Sequence, residues 1–130
     1  MFADGISPSG GNFFSIDDGT IGNRITSYFN GATNPRLYVS SGGTTSCDLS
    51  LATITAGGRV LQSSAYRLDN FAGSVNGNAV VVDTSGNVPS VSKMEIGRNV
   101  AGGAYVNDTI RRLTYWPTRL SNDTLQTITR

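Results

Sequence analysis

The chain has 130 residues, enough for one domain with a real core and too few for two. Gly, Ser, Thr and Asn supply 56 of them, and a single Lys and a single Glu leave few strong helix formers, which excludes a helical bundle. A formal net charge of +1 with no long run of either sign excludes a strong footprint for nucleic acid or anionic membrane, and the absence of His excludes Ser-His-Asp, Cys-His and His-ligated zinc chemistry.

Most segments repeat with a period of two, and only the last ten residues fit a helix. Residues 1–22 read as largely loop-like apart from a short strand over Phe13–Ile16, closed by the Asp17-Asp18-Gly19-Thr20 turn. Gly22–Phe29 follows, with Ile25, Ser27 and Phe29 on one face and Arg24, Thr26 and Tyr28 on the other; the mixed apolar character of both suggests a sandwich interior on one side and a partly covered surface on the other. Leu37–Ser40 starts after Pro35 and ends at Gly42-Gly43. Ser46–Thr53 is the next strand, and its Cys47 shares a face with Leu49 and Leu51 as a small buried hydrophobe. Arg59–Leu68 follows the Ala56-Gly57-Gly58 turn. Asn76-Gly77 between Phe71–Val75 and Asn78–Val82 predicts a two-residue type I′ hairpin, because both central residues need positive φ.

After the loop 84–89, Lys93–Ile96 alternates with Met94 and Ile96 turned inward, and Gly97 stops the run. A glycine-bearing loop over Asn99–Gly103 leads through Tyr105 into Ile110–Trp116, which Pro117 ends. The Arg111-Arg112 doublet at strand spacing points to opposite faces, one Arg exposed and the other partly buried and paired. Ser121 is placed to cap a helix over Asn122–Thr129, with Leu120 and Leu125 as a hydrophobic staple. Eight or nine short strands at this spacing predict an all-β antiparallel sandwich or jelly roll with one short C-terminal helix, in a single domain. No apolar run is long enough to insert into a membrane, and the start lacks the pattern of a signal peptide, so the chain reads as soluble.

Three segments resemble the concanavalin A-like lectin/glucanase superfamily, in the laminin-G-like form of bacteriophage virion proteins. They are Asn70-Phe71-Ala72-Gly73-Ser74-Val75-Asn76-Gly77, then Met94-Glu95-Ile96-Gly97-Arg98, then Ile110–Ser121 with Leu125, and together they cover residues 58–130. Asn107-Asp108-Thr109 stands where many relatives carry Asn-Gly-His, and relatives usually have strands ahead of the segment matching Asn23-Arg24-Ile25. The resemblance implies a lectin-like module of a virion, in a tail fibre or on a capsid surface, in which a conventional first strand is missing or supplied by a neighbouring subunit. Implied partners are other virion proteins or further copies of the chain, with bacterial surface glycan as the alternative; nucleic acid is not among them.

The chemistry is sparse. Glycoside hydrolysis needs two carboxylates about 5 to 10 Å apart, and Glu95 has no second acid two or four residues away. The chain therefore reads as non-enzymatic, with no cofactor. Scattered Asp residues offer oxygen ligands without calcium-loop spacing, and no metal site is expected. Sugar recognition needs an aromatic platform beside polar loop groups, and Asn99, Tyr105, Asn107 and Asp108 lie together around Gly102-Gly103 as candidates. In the alternative, Tyr105 packs the loop down and the asparagines satisfy turns. Asn76, Gly77, Gly97, Arg112, Trp116 and Ser121 are expected to be structural, with Trp116 anchoring the helix on the sandwich.

Overall fold

A computed structural model describes residues 1–130 and shows two five-stranded antiparallel sheets and one short helix. In chain order the strands are β1 (Phe2–Ile6), β2 (Gly11–Asp17), β3 (Arg24–Phe29), β4 (Pro35–Ser41), β5 (Thr44–Ser50), β6 (Arg59–Arg67), β7 (Asn70–Val75), β8 (Val81–Asp83), β9 (Lys93–Ile96) and β10 (Ile110–Thr114). Helix α1 (Asn122–Thr127) follows. One sheet runs β10-β1-β6-β7-β8 and the other β5-β4-β3-β2-β9. The protein is an all-β sandwich whose inner faces alternate apolar residues from both sheets.

The core holds Ala3, Val60, Phe71 and Val75 from the first sheet and Phe13, Phe14, Ile25, Phe29, Leu37, Val39, Cys47 and Leu49 from the second. A register shift between Asn12 and Phe14 lets two successive phenylalanines, 0 % and 1 % exposed, both enter it. Cys47 lies in this core, and burial pushes its thiol up to about 12. Iodoacetamide at pH 8 is therefore expected to alkylate the native protein at least about a hundredfold more slowly than the urea-unfolded chain, followed by mass spectrometry. Similar rates in the two states would place the thiol at the surface.

Helix α1 covers the outer face of the first sheet, where Leu125 meets Ala65 and Ala72, with Leu120 packed alongside. Ser121 caps it by accepting from the Thr124 amide at 3.2 Å. Ser63 Oγ donates to the Leu125 carbonyl at 2.9 Å, and Thr129 Oγ1 accepts from the Gly77 amide at 3.1 Å, so the helix is also tied to the β7 turn. Trp116 lines a cavity of about 60 Å³ with Leu120 and Leu125, beside the helix it was expected to anchor.

Four expectations need correction. Residues 2–6 are not loop: β1 lies inside its sheet, between β10 and β6. Its short sequence, Phe-Ala-Asp-Gly-Ile, carries no strong strand signal, and two flanking ladders hold it. The Asn76-Gly77 turn forms with φ of 49° and 72° and closes Asn78 N–H onto the Val75 carbonyl at 2.9 Å. The returning strand, however, is only β8, and it pairs Gly73 with Val81, one residue out of step with a two-residue loop. Met94 and Ile96 do pair with Ile16 and Phe14, whose side of the sheet faces the core, yet they are 40 % and 61 % exposed. As an edge strand, β9 lies at the margin of the sandwich, where the facing sheet leaves these two side chains uncovered. Arg111 and Arg112 are both exposed; Arg112 lies 6.0 Å from the Phe2 ring and donates to Thr114 Oγ1 at 3.0 Å, with no acidic partner.

Candidate functional site

On β3, strand alternation sends Ile25, Ser27 and Phe29 into the core and leaves Arg24, Thr26 and Tyr28 on the outer face of the second sheet. Antiparallel register sets Tyr38 opposite Thr26 and Arg36 opposite Tyr28 on β4, and Asp48 of β5 opposite Tyr38. On the other side, β2 sets Asn12 opposite Tyr28, Ser15 opposite Thr26 and Asp17 opposite Arg24. Strand β9 completes the face with Glu95 opposite Ser15 and Lys93 opposite Asp17.

The result is a polar sheet face bearing a groove of about 330 Å³, lined from β2, β3 and β4 by Asn12, Arg24, Thr26, Tyr28 and Tyr38. Asn99 and Ala104 of the loop after β9 form its remaining wall. Backbone hydrogen bonds hold that loop on β2. Gly97 N–H donates to the Phe13 carbonyl at 3.0 Å, Val106 N–H to the Gly97 carbonyl at 2.8 Å, and Asn12 N–H to the Ala104 carbonyl at 3.0 Å. Asn99 closes the loop on itself, its Oδ1 accepting from Gly103 N–H at 3.0 Å. At Gly11, whose φ is +102°, the loop comes so close that a β-carbon would stand 2.6 Å from the Tyr105 carbonyl carbon and 2.9 Å from the Ala104 oxygen.

The two tyrosine rings stand edge to face, with centroids 6.3 Å apart and planes at 84°. The Arg24 guanidinium lies 5.0 Å from the Tyr38 ring centroid, within cation–π range. The hydrogen bond with Thr45 Oγ1 holds the Tyr38 phenol below its ordinary pKa, whereas burial raises that of Tyr28. The Tyr38 ring is thus held by a neighbouring ring, a cation and a hydroxyl before any ligand arrives, and Tyr28 by the ring pair.

Each carboxylate on this face is engaged. Asp48 pairs with Arg36 at 2.8 Å. Asp17, fully buried, accepts from Ser15 Oγ at 3.0 Å and Gly19 N–H at 2.9 Å, and Lys93 Nζ lies 3.5 Å away. Glu95 is bracketed by Lys93 at 3.0 Å and by Arg98, and hydrogen bonds from these two cations, Lys93 first, hold it below the usual carboxylate range. An acid held ionised in this way is badly placed to donate a proton near neutral pH. The remaining aspartates at turns bind backbone: Asp18 accepts from Thr20 N–H, Asp69 from Gly86 N–H and Asp83 from Ser85 N–H. No group of three or more Asp, Glu or Cys side chains is gathered anywhere.

Of the four residues that the sequence puts forward for ligand contact, Asn99 alone lines the groove. Tyr105 is 62 % exposed and does not pack the loop down; its neighbour Val106 packs against the core instead. Asn107 and Asp108 are exposed, and Asp108 Oδ1 accepts from Thr109 N–H at 2.7 Å. Arg24, Tyr28 and Tyr38 were absent from that reading. Their signal was the outer-face alternation of β3 and β4, where aromatic and charged residues stand in place of the small polar ones usual for a solvated face. No family model matches the chain, and no curated protein or solved structure matches it either.

Proposed function

We propose that this domain is a non-catalytic recognition module that binds an extended saccharide across the outer face of the β5-β4-β3-β2-β9 sheet. The observation that carries the reading is one groove uniting two paired tyrosine rings and the Asn12 amide on strands with the Asn99 amide of the loop held against β2. Sugars present C–H faces that pack on aromatic rings and hydroxyls that pair with planar amides, so these are the side chains such a ligand needs. The ionised state of Glu95 supports binding over hydrolysis, which requires a protonated acid at the working pH. The resemblance of residues 58–130 to phage-type lectin-like modules supports placing the domain on a virion, in a tail fibre or on a capsid surface, with a bacterial surface glycan as its ligand.

A glycan array probed with the labelled protein, followed by calorimetry on the best ligand, tests this. Tyr38→Ala is expected to weaken binding by about tenfold or more, with a far-UV circular dichroism spectrum matching wild type to show that the variant is still folded. A wild-type protein that binds no saccharide on the array would overturn the proposal.

A second reading, a structural virion module working through protein contacts or as a homo-oligomer, is favoured by Met94 and Ile96, exposed on the free edge strand β9. Light scattering at micromolar concentration decides it. A trimer or larger assembly supports this reading, and a monomer argues against it.

A further inference from the structure

The balance of charge in the groove says what kind of saccharide it takes. Four cations share the outer face, Arg24, Arg36, Lys93 and Arg98, against three carboxylates, Asp17, Asp48 and Glu95. Every carboxylate has a cationic partner, and so do three of the cations. Arg24 is the one left over. No carboxylate lies within 4.0 Å of it, and its Nε is shut off from solvent without a hydrogen-bond acceptor. The guanidinium nevertheless lines the groove, so its charge is left there without a carboxylate partner, for an incoming oxyanion to meet.

Two further features fit such an anion. The Tyr38 ring beside the guanidinium fixes its position, so little side-chain freedom is left to lose when a ligand binds. The residues flanking Arg24 in the groove, Thr26, Tyr28 and Asn12, are uncharged and present hydroxyl and amide groups, so only Arg24 brings a formal charge to the lining. A sugar ring on the tyrosines with one acidic substituent toward Arg24 matches this layout.

We infer that the saccharide is acidic and that Arg24 receives its oxyanion. The inference rests on the groove being the ligand site. Two sources of the charge, a uronic carboxylate or a sulfate ester, share this chemistry, and paired probes separate them. Calorimetry would compare tetragalacturonate with its fully methyl-esterified form, and a sulfated carrageenan tetrasaccharide with its desulfated counterpart.

In at least one pair the acidic member is expected to bind about ten- to a hundredfold more tightly than the neutral one. Arg24→Met should abolish that preference, and Arg24→Lys should keep part of it, since charge survives without the planar fork. The urea midpoint of each variant reports folding independently of binding. Equal affinity for acidic and neutral members in wild type would overturn the inference while leaving the groove as a sugar site, which Tyr38→Ala would still weaken. An acidic preference that survives Arg24→Met would overturn the role of Arg24. Failure of all four probes to bind overturns the inference, and the wider array then decides whether the saccharide reading falls with it.

Discussion

Phe13→Ala is expected to lower the unfolding free energy by about 3 to 5 kcal/mol, the range for deleting a fully buried aromatic ring from a core. The ring is 0 % exposed and bridges the two sheets. It meets Phe29 of its own sheet edge to face, with centroids 4.9 Å apart. On the opposite side it rests against Gly5 of β1, where a β-carbon would come within 2.9 Å of its Cε1. Neither contact can be restored by relaxation. The strands on both sides are held by ladders, and Gly5 has no side chain to swing into the space. Domains of this size are stable by only about 5 to 15 kcal/mol, so the variant would lose a large part of its margin. Urea titration followed by tryptophan fluorescence checks it, and a loss below about 1 kcal/mol would mean that the ring is not clamped between the sheets.

Gly11→Ala is expected to cost about 2 to 5 kcal/mol, combining an unfavourable backbone conformation with overpacking. At φ +102° an L residue is strained whatever the space, and the added carbon would meet the backbone of Ala104 and Tyr105, not a flexible side chain. Relief requires the loop after β9 to lift. Lifting breaks the Asn12 N–H bond to the Ala104 carbonyl and withdraws Asn99 and Ala104 from the groove. The variant should therefore combine a lower urea midpoint with faster amide exchange at residues 99–106 and weaker saccharide binding. Destabilisation with the loop amides still protected would show that strain is absorbed in β2, and the loop's part in the site would then be wrong.

These two positions also show why parts of the molecule escaped a reading of its sequence. Phe13 and Phe14 are adjacent, and alternation alone would send one of them outward; the register shift that brings both inside is set by pairing with β3. Gly10-Gly11 read as loop because nothing local reports that residues 104–105 will pack against Gly11. Strand β1 was missed for a related reason: five residues containing Asp and Gly become strand when β6 and β10 supply both ladders. At β9 the alternation was correct, but burial depends on whether the other sheet reaches that far.

Short-range patterning carried the class of the fold and several of its turns and caps. Period-two alternation, the scarcity of strong helix formers, the Asn76-Gly77 turn and the Ser121 cap are short-range properties, and each appears in the structure as the residues dictate. The division of β3 into an Ile25-Ser27-Phe29 face and an Arg24-Thr26-Tyr28 face was legible for the same reason, since strand geometry fixes it from one residue to the next, whereas packing decided which of them lies inward. Which outer face would become a groove was left to long-range packing. That depended on register bringing Tyr38 beside Arg24, on the loop after β9 folding over β2, and on which carboxylates would claim which cations. Those are contacts between residues far apart in the chain, set by strand order and pairing, and local pattern carries no record of them.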